Sequence, residues 1–106
     1  MKTPEQTYLR KRSSLRQMVA MKTPEQIAES IRKDNPEYLE VKVLPDGSIA
    51  ILVELAFTRA ICLGADEVCP FTTRYCYEDR GKASELFQTL QSEDDVLTGY
   101  IATRRN

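Results

Sequence analysis

After Pro36 the hydrophobic pattern of the chain switches from the period of a helix to that of a strand, with a turn at the centre of the new pattern. In Tyr38-Leu39-Glu40-Val41-Lys42-Val43-Leu44, the residues Leu39, Val41 and Val43 share one face, and Glu40 and Lys42 the other. Pro45-Asp46-Gly47 supplies a hairpin turn, with Gly47 taking the positive φ. The return strand, Ser48-Ile49-Ala50-Ile51-Leu52-Val53-Glu54-Leu55, turns Ile49, Ile51, Val53 and Leu55 toward a core. A β-hairpin over residues 38–55 is therefore the nucleus around which the rest must be arranged.

With 106 residues, the chain has room for a single domain with one core. A hydrophobic fraction of 42% and a charged fraction of 29% are those of a globular protein and exclude wholesale disorder. No apolar run approaches the roughly 18–20 residues of a membrane span.

Beyond the hairpin, Thr58–Leu63 predicts a third strand, closed by Gly64. Residues 65–70 read as a connector and Phe71–Glu78 as a fourth strand. Ala83, Leu86, Phe87 and Leu90 recur at i, i+3, i+4 and i+7, which predicts an amphipathic helix over about 80–92. Ser92-Glu93-Asp94-Asp95 is a polar turn, Leu97–Thr103 a last strand, and Arg104-Arg105-Asn106 a frayed end.

The hexapeptide Met-Lys-Thr-Pro-Glu-Gln occurs at residues 1–6 and again at 21–26. The residues that follow the two copies differ, so this is not a stacking repeat. Each copy is a helix start: Thr3 or Thr23 as N-cap, Pro4 or Pro24 at the first helical position, and Gln6 or Gln26 completing a capping box. Helices are expected over about 4–19 and 24–34, the second stopped by Pro36. Met21 also offers an internal translation start, and either reading begins the compact domain near Thr23. The expected order is α-α-β-β-β-β-α-β. This is an α+β fold with a mostly antiparallel four- to five-stranded sheet, helices on one face, a basic arm over 1–22 and one domain over 23–106.

Charge divides along the same boundary. The totals, 15 basic and 16 acidic residues, are nearly balanced. Lys2, Arg10, Lys11, Arg12, Arg16 and Lys22 against Glu5 give the arm a net of +5, and the remainder carries −6. A basic arm on an acidic body predicts a polyanionic partner, or else an arm that docks on its own domain or is simply a solvated helix.

Chemistry is sparsely provided for. Without His the chain lacks the commonest general base and metal ligand. The acidic groups Asp66-Glu67, Glu78-Asp79 and Glu93-Asp94-Asp95 fall at turns, where carboxylates usually cap backbone N–H groups. Four isolated glycines make no phosphate-binding loop. Cys62, Cys69 and Cys76, spaced C-x6-C-x6-C, match no zinc pattern and read as three buried or half-buried structural thiols. Their odd number, with no apolar leader after Met1, predicts a reducing, cytoplasmic setting. No enzymatic activity and no cofactor or metal are expected.

Phe71-Thr72-Thr73-Arg74-Tyr75-Cys76-Tyr77 interleaves aromatics with Arg on one strand, a composition that stacks unpaired bases when exposed. Arg74-Tyr75-Cys76-Tyr77 and Gly99-Tyr100-Ile101 resemble strands of small bacterial and phage accessory proteins, a likeness that names no family and implies no activity. The expected function is that of a small binding, adaptor or regulatory protein acting through protein–protein contact or self-association. The alternative is a nucleic-acid-associated regulator using the arm. The candidate contact residues are Arg10, Lys11, Arg12, Arg16, Arg74, Tyr75 and Tyr77.

Overall fold

The computed structural model describes residues 22–106. The expected helix over 4–19 and the arm residues Arg10, Lys11, Arg12 and Arg16 lie outside the described residues.

Helix α1 (Pro24–Asp34) starts as its capping box dictates. Thr23 Oγ1 accepts from the Gln26 N–H at 3.2 Å, and Gln26 Oε1 accepts from the Thr23 N–H at 2.9 Å. It ends where the Asn35 N–H bonds to the Ile31 carbonyl, just before Pro36. Strands β1 (Glu40–Val43) and β2 (Ile49–Glu54) form the hairpin, with Val41 opposite Ile51. Its turn places Gly47 at φ +87°, and Asp46 accepts from the Ser48 N–H at 2.9 Å. Strands β3 (Arg59–Leu63) and β4 (Thr73–Tyr77), helix α2 (Arg80–Gln88) and strand β5 (Ala102–Arg105) follow. Among the described residues the sheet has five strands in the order β1-β2-β3-β4-β5, every pair antiparallel.

The two helices lie on opposite faces, not on one. Ala28 and Ile31 of α1 pack with Val41, Ile49, Ile51, Cys62 and Phe71. Ala83 and Phe87 of α2 pack with Ala50, Leu52, Ile61, Leu63, Tyr75 and Tyr77. The reason is visible in β2, where Ile49-Ala50-Ile51-Leu52 is buried at every position. Alternation assigns Ile49 and Ile51 to one face, but Ala50 and Leu52 are apolar too. An unbroken apolar run is the mark of a strand covered on both sides.

Two boundaries also move. Helix α2 stops at Gln88, four residues before the expected end, because the N–H and hydroxyl of Thr89 both donate to the Leu86 carbonyl, at 2.9 and 2.8 Å. Its start is secured by Asp79, which accepts from the Lys82 N–H at 3.0 Å. The last strand begins at Ala102 because Gly99, at φ +83°, turns the chain before pairing starts. Arg104, Arg105 and Asn106 do not fray. The Asn106 N–H bonds to the Thr72 carbonyl at 2.9 Å, and its side-chain Nδ2 to the Phe71 carbonyl at 2.7 Å.

Candidate functional site

The two edges of the sheet are finished differently. At β1 the guanidinium of Arg32 donates from Nη2 to the Val41 carbonyl at 2.7 Å, so α1 reaches over and occupies an edge acceptor. At β5 all four residues are exposed. The bond from Asn106 to Thr72 fixes the phase of the β4–β5 ladder. Arg104 therefore exchanges bonds with Arg74, while the N–H and C=O groups of Thr103 and Arg105 point away from β4. Edges of this kind are templates for another strand.

The charged side chains of β5 and of the β4 residue paired with it, Arg74, Arg104 and Arg105, are all cationic. Arg104 stands directly opposite Arg74 on the α1 face, and Arg105 lies on the α2 face opposite Thr73. Like charges directly opposed across a ladder are unfavourable. Among the described residues none of these three arginines forms an ion pair, whereas Arg59 and Arg80 both bind Glu54, and Lys22 binds Glu67 at 2.7 Å. The guanidinium of Arg74 lies 5.1 Å from the Phe71 ring centre, and its Nε is buried without a hydrogen-bond acceptor among the described residues. In the segment leading into β5, Val96 is 84% and Ile101 60% exposed.

Of the residues expected to make contact, Arg74 is half-buried at this site, while Tyr75 and Tyr77 are buried beneath it. Tyr75 packs on Tyr100 with ring centres 5.0 Å apart. The Tyr77 hydroxyl donates to the Thr98 carbonyl at 3.0 Å, and burial, assisted by Tyr75 and Tyr100, pushes its pKa up to about 12. Both tyrosines hold the α2–β5 segment against the sheet and present no ring to a base. Arg104, Arg105, Val96 and Ile101 were not among the expected contact residues. The signal that could have found them is the Tyr-Ile-Ala-Thr run after Gly99, which continues as strand into the arginines.

The acidic turns are occupied by their own backbone. Asp66 Oδ1 accepts from the N–H groups of Val68 and Cys69, at 2.8 and 2.6 Å, and Asp95 Oδ2 from that of Gln91 at 2.8 Å. Asp46 is held down to about 2, first by the Ser48 hydroxyl and N–H and then by the Glu93 N–H. Cys62 and Cys76 are buried as expected, but Cys69 is exposed, because it lies in the turn that Asp66 closes between β3 and β4 and not on a strand. Burial pushes the Cys62 thiol up to about 12 despite the nearby Arg74 charge. Among the described residues no three acidic or thiol side chains converge as a metal-holding set, and no helix is long and apolar enough to cross a membrane. Compared with protein families, curated proteins and solved structures, the chain matches none.

Proposed function

We propose that the protein is a small, non-enzymatic binding or adaptor protein that works through contact with another protein in a reducing, cytoplasmic setting. The observation that supports this most is the concentration of exposed Val96, Tyr100 and Ile101 in the segment that runs into an open sheet edge. Large apolar side chains next to unpaired strand backbone are costly to leave in water and are features of contact surfaces. The test is capture from the native host extract on the immobilised full chain, beside a Val96→Asp/Ile101→Asp double variant. A protein retained by the wild type and lost by the variant, with unchanged circular dichroism, is expected. Retention of the same proteins by both chains, or of none by either, contradicts this reading.

A second reading, a nucleic-acid-associated regulator that uses the arm, rests on Arg10, Lys11, Arg12 and Arg16, with the Arg74–Arg104 pair and Arg105 adding cationic surface on the sheet. The burial of Tyr75 and Tyr77 counts against it. Absence of retention on heparin or DNA at low salt eliminates it, because phosphate contacts are strongest there.

A further inference from the structure

Building on the protein-contact reading, we propose that the β5 edge takes up an extended acidic segment of the partner protein as a sixth strand, its carboxylates met by Arg104 and Arg74 on one face and Arg105 on the other. Three independent observations converge on this edge.

The first is backbone supply. Thr103 and Arg105 each direct an N–H and a C=O outward, so an incoming strand gains ladder bonds without displacing any that the fold already uses. At the opposite edge Arg32 already occupies the Val41 carbonyl, which makes β5 the more open of the two.

The second is charge. Arg74 and Arg104 face each other with no carboxylate paired to either among the described residues, and Arg105, opposite Thr73 on the other face, has no paired carboxylate among them. Such an arrangement repels itself in the free protein and is relieved by an acidic ligand. An acidic strand with side chains alternating between its faces reaches both sets of arginines at once.

The third is the buried Nε of Arg74, a donor with no acceptor among the described residues and with its guanidinium held over Phe71. A buried donor left without an acceptor is costly. A guanidinium fixed in this way is pre-oriented, and Arg is suited to forked contact with a carboxylate.

A second copy of this chain suits the edge less well, because pairing two β5 strands crowds four arginines along one seam. A nucleic-acid strand offers phosphates but no ladder of N–H and C=O groups for Thr103 and Arg105.

The probe is a blocked, fluorescent peptide alternating Glu with Val and Thr, compared with a version in which Gln replaces every Glu. Binding to the full chain is followed by anisotropy at low and near-physiological salt. The acidic peptide is expected to bind about tenfold more tightly than the Gln peptide, with the difference shrinking as salt rises. Arg104→Glu/Arg105→Glu is expected to weaken binding at least about tenfold. Thr103→Pro removes an outward N–H at a position where an edge strand tolerates proline, together with the hydroxyl that donates to the Arg74 carbonyl at 3.1 Å, and is expected to abolish binding. Thr103→Val, which removes the hydroxyl alone, is expected to leave binding unchanged. If the proline variant proves unfolded, N-methylation of alternate peptide amides removes the same ladder bonds from the ligand side and is expected to have the same effect.

Equal binding of the Glu and Gln peptides, or insensitivity to both Thr103→Pro and peptide methylation, overturns the proposal. So does a concentration-dependent dimer that excludes the peptide, or binding of a DNA oligonucleotide in its place. If the full chain still captures a host protein while binding no acidic peptide, β5 is not the docking strand. If it captures nothing, protein contact itself is wrong.

Discussion

Single residues in this protein differ most in what burial does to them. Three thiols of the same chemistry occupy two environments, with Cys69 in water and Cys62 and Cys76 inside. Since the thiolate is the reactive form, the upward shift of Cys62 adds to its inaccessibility. Alkylation of the folded chain followed by mass spectrometry should therefore modify Cys69 rapidly, with Cys62 and Cys76 reacting only on unfolding. Asp46 shows the reverse effect, an exposed carboxylate held low by local hydrogen bonds. Its folded pKa lies below its ordinary one, so its contribution to stability is complete above about pH 4 and is lost as pH falls toward 2. Thermal melts of Asp46→Asn should show a shallower loss of Tm across that interval than the wild type. The spacing of the cysteines said nothing of this division, because an interval of seven does not specify which face of a strand or which side of a turn each thiol takes.

Among the elements, the helices contribute through a few anchors. Phe87 is fully buried between α2 and the sheet, with Lys42 Nζ 4.7 Å from its ring centre. Phe87→Ala should cost about 3–5 kcal/mol in urea unfolding, whereas Phe57→Ala, at a position 85% exposed, should stay within about 0.5 kcal/mol. The hairpin, α1 and the start of α2 were readable because their signals are local: a Pro-Asp-Gly turn, a capping box and an Asp N-cap. The end of α2 was not, since Leu90 continues the helical spacing and is buried, yet lies beyond the helix that Thr89 closes. The displacement of β5 has a similar origin. Leu97 has a strand-like neighbourhood in sequence but packs on the α2 cluster before Gly99 turns the chain.

At the scale of the whole molecule, covering both sheet faces leaves the edges as the places where a partner can add to the fold. Of the expected contact residues, Arg74 lies at that edge and the two tyrosines are spent on the core. The site was only partly readable because Arg104 and Arg105 look like a charged tail until their pairing with β4 is known. Charge layout along the chain identified a basic arm and an acidic body; the pairing adds a cationic strand to that body.

The central claim, an open and receptive β5 edge, is tested most directly by residue-resolved amide hydrogen exchange of the full chain, alone and with the acidic peptide. The free protein should alternate along β5, with Thr103 and Arg105 exchanging fast and Arg104 and Asn106 slowly. Bound peptide should slow Thr103 and Arg105 selectively. Uniform protection along β5 in the free chain, or bound peptide that leaves these two amides unchanged, would contradict the account.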